Sequence, residues 1–439
     1  MIDHPQRTAL HNEIHARPPE PMTPPLAISH VVMLADPAER NASRDHLSAL
    51  LRDHHLPALD DKTTHSRHTL GAVRVRWEQH TEFVSWTVMR PLDPQGPGVA
   101  LGQFTQSPVT ASAALPQAWL DALPGQRLVA LNLWAFPQVS ELAQGSEMLV
   151  KHLLHDDTLV ASGVAEGRCE AYTDFAIHPD GFSRQLLFVG QAMTPRGLGR
   201  LIQQLLEIET YRMAALLGFP LAHQGSADLT AAERELAALA TAIPKAEPKD
   251  EPQLLDRLTQ LAGQIESQYA ARHSRFSASA AYFSLVDKRI DDIAETRIIG
   301  MQSFREFMDR RLSPARNTCE WAVRRQDALS QRVSRMSNLL RTRVEIKQQQ
   351  NSEALLAAMN TRQDLQLKLQ STVEGLSVAA ITYYIVGLVN FLAKGAQSFG
   401  WPLSPETSAA AAIPVVAFSV WWLIRRLHRR LLAGQVAKV

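Results

Sequence analysis

Cysteine is almost missing. Cys169 and Cys319 are the two thiols in 439 residues, and they lie far apart with no CxxC pair, which excludes a disulfide scaffold and a thiolate zinc site. Excess charge of either sign is missing as well. A net charge of +1 and a pI near 7.9 exclude the broad basic field of a nucleic-acid binder. Nucleophile and phosphate-cradling motifs are absent: there is no GxSxG, no GxxxxGK[ST] and no GxGxxG after a strand. From Met1 to Pro25 histidines, acids and prolines stand where a secretory signal needs an apolar core. The bulk of the chain is therefore expected in the cytoplasm, and no reaction is legible from motifs.

What is present is a long uncharged run near the end. "EGLSVAAITYYIVGLVNFLAKG", Glu374 to Gly395, carries roughly 19 uncharged residues, which as a helix at about 1.5 Å per residue matches the hydrocarbon thickness of a bilayer. A second run, Thr407 to Ile424, ends in "WWLIRRLHRR". Two such runs in tandem predict a transmembrane hairpin, with spans over 375–393 and 407–424 and a short loop between them. A pair of buried core helices is the other way to hide them. Trp421 and Trp422 fit an interfacial aromatic belt, and Arg425, Arg426, Arg429 and Arg430 follow at once. Arg362 and Lys368 precede the first span, while the loop holds only Lys394 and Glu406. The positive-inside rule then puts both termini in the cytoplasm and the loop outside.

The rest divides into an α/β part and a helical part, an α+β chain overall. Residues 1–220 alternate strand-like and helix-like segments. "LAISHVVML" is a buried strand, and "PAERNASRDHLSALLRDHH" is a helix with Leu47, Leu50 and Leu51 on one side. Val73, Val75 and Trp77 alternate with Arg74 and Arg76, the period of a half-buried strand that returns as a hairpin through Val84 and Trp86. Pro179-Asp180-Gly181 marks a turn between two strand-like runs. Leu201, Leu205, Ile208 and Met213 recur at helical spacing, and Pro220 stops that helix. Glu207, Glu209 and Arg212 on it read as a solvated face with local ion pairs.

"AIPKAEPKDEPQ" is a polar, proline-rich break inside a linker region over 221–253. A long-helix region over 254–373 follows, in which Leu329, Val333, Met336, Leu340, Val344, Leu355, Leu365, Leu369 and Val373 form a coiled-coil-like apolar stripe. It runs without a linker into the first span, which reads most simply as rigid anchoring, with transmission of a helix rotation or tilt into the bilayer as the alternative. Residues 374–425 hold the hairpin and 426–439 a basic tail.

Polar clusters are few. In "LHNEIHARP" an extended chain would put His11, Glu13 and His15 on one side, an N/O/N set for a divalent cation; hydrogen bonds that pin the N-terminal segment are the alternative. His54, His55, His65 and His68 read as loop histidines. "RGLGR", Arg196 to Arg200, fits an anion at a helix start or a glycine pair needed there for packing.

These stretches carry a family resemblance. "LHNEIHARP", "DFAIHPDGFSRQLLF", "GRLIQQLLEIETYRMAALL" and the first span resemble a bacterial family of uncharacterised membrane-anchored proteins, domain of unknown function 3422, along nearly the whole chain. The resemblance implies a membrane anchor and supplies no mechanism. The architecture is also similar to the CorA-type magnesium channels: an α/β cytoplasmic domain, long helices, two terminal spans and a basic tail. In those channels a Gly-Met-Asn triplet closes the first span, whereas this sequence reads Gly387-Leu388-Val389-Asn390-Phe391, without the methionine. Gly387 and Asn390 are the pore candidates that likeness implies. The expectations are thus a homo-oligomeric scaffold or regulator anchored in a bacterial inner membrane, in contact with the lipid bilayer and without nucleic acid. A CorA-like cation channel and a metal-binding or enzymatic module at His11, Glu13 and His15 are the alternatives.

Overall fold

The computed structural model describes residues 3–8, 10–11, 18–92, 108–138, 143–397 and 402–436, with side chains described outside 143–145, 397 and 427–436. Among the described residues nine strands form one sheet in the order β2-β3-β4-β1-β5-β8-β7-β6-β9. These are β1 (Leu26–Leu34), β2 (His65–Leu70), β3 (Val73–Gln79), β4 (Phe83–Pro91), β5 (Gln126–Pro137), β6 (Val160–Val164), β7 (Cys169–Thr173), β8 (Ser183–Val189) and β9 (Thr296–Arg297). Neighbours run antiparallel except β5 and β8. The hairpin read from Val84 and Trp86 is present, with Trp77 opposite Trp86.

Helices cover both faces of the sheet. β1 is buried from Leu26 to Met33, with Ser29 and His30 inside an otherwise apolar run, as a strand covered on both sides is. On one face Ile28, Val32, Leu131 and Leu133 pack with Leu201, Leu205 and Ile208 of α4 (Pro195–Leu216) and with Phe276, Phe283 and Val286 of α6 (Glu251–Asp292). On the other, Val31, Val75, Trp77, Trp86 and Trp134 meet Leu47, Leu50 and Leu51 of α1 (Pro37–Asp53) and Leu149 and Leu153 of α3 (Ala143–Leu153). A capping box starts α1: Asp36 accepts from the Glu39 amide at 2.8 Å and Glu39 accepts from the Asp36 amide at 2.8 Å. The short α2 (Gln117–Asp121) lies before β5.

The structure differs from the sequence-based expectation in the helical part and at two histidines. Pro220 does not end the helical stretch, because it falls in the first turn of α5 (Gly218–Ala242), where a missing N–H leaves no bond unmade. Most of 221–253 is therefore helix. The break after α5 also does not start a separate body: the chain falls into two compact units, Met1–Lys245 with Asp256–Ser337, and Ala246–Leu255 with Asn338–Val439. The physical reason is that Phe276, Phe283, Val286 and Ile290 of α6, and Phe304 and Met308 of α7 (Phe304–Arg311), complete the core on the α4 face of the sheet. His65 and His68 stand on β2 rather than in a loop.

In the second unit, Arg343 pairs with Glu251 at 2.7 Å and Leu254 and Leu340 are buried. The helix α8 (Ser313–Gln397) is continuous, so the apolar stripe does run into the first span without a break. The stripe is buried at Leu329, Val333 and Leu340, and exposed at Leu355, Leu365, Leu369 and Val373. α8 and α9 (Pro405–Val436) each contain a segment long and apolar enough to cross a membrane. Their large side chains are bare: Tyr383 is 77 % exposed, Phe391 72 % and Phe418 65 %. A helix pair hidden in a soluble core would have buried them.

Candidate functional site

The register of the sheet assembles a polar row under α4. His30 on β1 is opposite Thr87 on β4, and Thr87 is opposite Arg76 on β3. Directly paired residues point to the same face, so His30, Thr87 and Arg76 stand side by side, with Ser85 and Glu78 as the next pair along. The alternation in β3 is as the sequence suggests, but the polar side is not open to water: Arg76 and Glu78 are each 7 % exposed. α4 covers them, which no local pattern in β3 could indicate.

Charge is matched inside this layer. Arg76 donates to both carboxylate oxygens of Glu78, at 2.7 and 2.8 Å. Glu207 of α4 accepts from Gln203 at 2.9 Å and pairs with Arg289 of α6. Glu209, expected from the sequence on a solvated face, is buried and holds Arg212 at 2.6 Å. Together His30, Arg76, Glu78, Gln203, Glu207 and Tyr211 line a cavity of about 220 Å³. Two of its wall atoms, Arg76 Nε and Gln203 Oε1, are buried without a hydrogen-bond partner. A buried orphan donor and a buried orphan acceptor each cost about 1–3 kcal/mol, which a bound molecule with complementary groups would recover.

His30 is held neutral. Burial, then the positive charge of Arg76, then His80 push its pKa down from 6.5 to about 3. Its ring nitrogens are taken, Nδ1 at 2.8 Å from Thr87 Oγ1 and Nε2 at 3.1 Å from Thr210 Oγ1. It is therefore a fixed polar wall and not a metal ligand or a proton carrier at neutral pH. The cavity suits a small polar molecule that accepts from a guanidinium and donates to a carboxamide or carboxylate.

The metal and pore candidates read from the sequence do not line this cavity where they are described. His11 is exposed on a short helical turn, and Glu13 and His15 lie outside the described residues. Gly387 and Asn390 are half-buried on α8. Space is open around the Gly387 Cα, and Asn390 Oδ1 is buried without a hydrogen-bond partner. The second glycine of "RGLGR" has a packing reason: a Cβ on Gly199 would meet the Glu20 carbonyl oxygen at 1.7 Å, because the N-terminal segment lies on α4 and Met22 N–H donates to the Pro195 carbonyl at 2.9 Å. The sequence holds the parts of the cavity, the Arg-x-Glu pair on β3 and the polar Gln203, Glu207 and Thr210 on α4, but nothing local joins them.

Among curated proteins and among solved structures nothing matches the chain. Residues 2–431 match a family described as "Protein of unknown function (DUF3422)", a range that takes in every strand, α1 to α8 and most of α9, and the chain belongs to that family.

Proposed function

We propose that this protein is a homo-oligomeric scaffold or regulator anchored in a bacterial inner membrane by its two terminal spans, with both termini in the cytoplasm. The observation that carries this reading is the exposure of apolar side chains along α8 and α9. Leu355, Leu365 and Leu369 belong to a stripe that a water-exposed helix has no reason to keep, and a second copy of the same helix supplies the symmetrical cover. Further along, the bare Tyr383, Phe391 and Phe418 suit lipid. Disulfide trapping in membranes tests the stem: Leu365→Cys should cross-link to a second copy and Asn360→Cys should not. Equal trapping at both positions, or at neither, would remove the oligomer.

A second reading, ligand regulation, is favoured by the orphan Arg76 Nε and Gln203 Oε1 in the polar cavity. Screening compact polar metabolites by thermal shift on detergent-solubilised protein tests it. A hit that stabilises the wild type and leaves Gln203→Leu unmoved supports the cavity; a hit that stabilises both equally places binding elsewhere.

A CorA-like channel would use Gly387 and Asn390. Cation flux in liposomes that vanishes in Asn390→Ala would establish it over the scaffold.

A further inference from the structure

Outside the cavity, among the described residues, one group of metal-ligating side chains converges without having been visible in the sequence. His155 follows α3, Asp174 follows β7, and His178 lies four residues beyond Asp174 on the way to β8. The nitrogens of both imidazoles and a carboxylate oxygen of Asp174 lie within 4.8 Å of one another. The strand expected over "DFAIH" is a loop, because Asp174 turns its carboxylate back on the chain: Oδ1 accepts from the Ala176 amide at 3.0 Å, and Phe175 takes a positive φ of 53°.

Asp174 Oδ2 is crowded. It lies 2.9 Å from the His155 amide, 2.9 Å from His155 Nδ1 and 2.9 Å from His178 Nε2. One carboxylate oxygen has two lone pairs, so three N–H donors cannot all be served well there. The imidazoles stack, with centroids 4.5 Å apart and planes 6° from parallel, and both aim a nitrogen at that oxygen.

We propose that His155 Nδ1, Asp174 Oδ2 and His178 Nε2 bind a divalent transition-metal ion of the zinc class. Two imidazoles and one carboxylate select such an ion over Mg²⁺ or Ca²⁺, which prefer all-oxygen shells. With metal–ligand bonds of about 2.0–2.1 Å in tetrahedral array, ligand atoms stand about 3.3–3.4 Å apart, so Asp174 Oδ2 and each imidazole nitrogen need to widen only slightly from their present 2.9 Å. Metal binding replaces the two imidazole–carboxylate hydrogen bonds and leaves the His155 amide on Oδ2 as an outer support. The loops are already braced: Arg184 donates to the Leu153 carbonyl at 3.2 Å and to Asp180 Oδ2 at 3.2 Å, tying together the segments that carry His155 and His178. The Asp174 and His178 side chains are 0 % and 5 % exposed, whereas that of His155 is 57 % exposed. Solvent thus reaches the metal from one side, the arrangement of a site with an exchangeable fourth position.

Full-length protein in detergent, stripped with a chelator and titrated with ZnCl₂ by calorimetry, tests the site, with the absorption spectrum of added Co²⁺ as a second readout. The expected result is one ion per chain, a tetrahedral Co²⁺ spectrum, and at least about tenfold weaker binding in both His155→Ala and His155→Gln. The exposed position of His155 lets these variants keep the fold, and unchanged tryptophan fluorescence verifies it. A His11→Ala, His15→Ala double variant should bind as the wild type does. The proposal is overturned by no uptake of zinc, by unchanged affinity in the His155 variants, or by loss of the ion in the His11, His15 variant instead.

Discussion

His30 and Thr87 are opposite one another on β1 and β4, and their side chains meet at 2.8 Å under α4. That hydrogen bond belongs to a neutral imidazole, whose pKa falls from 6.5 in an ordinary setting to about 3 here. The consequence for stability has a definite sign. Above about pH 6.5 neither the folded nor the unfolded chain protonates this ring. Between that value and about pH 3 the unfolded chain takes a proton that the folded chain refuses, so stability falls on acidification, by at most about 1.4 kcal/mol per pH unit. His30→Gln should flatten the drop in thermal midpoint between pH 6.5 and pH 4, followed through the buried Trp77, Trp86 and Trp134. A variant curve parallel to that of the wild type would contradict a neutral buried His30.

Arg76 and Glu78 form a buried pair two residues apart on β3. Removing one partner leaves a nearly buried charge without its counter-ion. Arg76→Met should therefore destabilise the first compact unit by about 3–5 kcal/mol, whereas Arg76→Met combined with Glu78→Leu should recover much of that loss. Urea denaturation of the full chain, again read by tryptophan fluorescence, compares the wild type, each single variant and the double variant. A loss in the double variant equal to the sum of the two single losses would show that the pair is not coupled.

These residues show where the sequence stops being informative. The helix over Pro37–Asp53, the alternation in β3 and the buried run of β1 depend on neighbours along the chain, and all are legible there. The two apolar segments are legible for the same reason, since length and composition are local properties. The cavity is not. It needs the register that puts His30, Thr87 and Arg76 in one row, and it needs α4, which lies far along the chain, to return over them. The group of His155, Asp174 and His178 escapes notice differently: His178 and Asp174 are close in sequence, but their partner comes from the end of α3, and no spacing rule connects the two segments.

Asn390 carries a carboxamide oxygen, buried and without a hydrogen-bond partner, inside a segment apolar enough to cross a membrane. In lipid such a group is satisfied by another helix, at about 0.6–2 kcal/mol per hydrogen bond. Asn390→Leu should shift the detergent-solubilised protein toward smaller assemblies in native mass spectrometry, by a factor of roughly three to thirty in the association constant for each interhelical hydrogen bond removed. An unchanged mass distribution would assign association to the stem stripe at Leu355, Leu365 and Leu369 alone.

Membrane topology is open to a direct chemical test, because the native thiols are protected. Cys169 and Cys319 are both buried, and burial pushes the Cys319 pKa up to about 11 and raises that of Cys169 as well. The thiolate is the reactive form, so neither should label in the folded protein. Leu403, 52 % exposed just before α9, lies between the two apolar segments. A cysteine placed there, Leu403→Cys, should react with a membrane-impermeant maleimide applied to spheroplasts, and the wild-type chain should not. Glu353→Cys, on the exposed stem of α8, should react only after the membrane is opened. This pattern follows from a hairpin whose loop is outside and whose long helix is inside. Labelling of both positions before opening, or of neither until afterwards, would put the stem and the loop on the same side and replace the hairpin by two helices lying on the membrane surface.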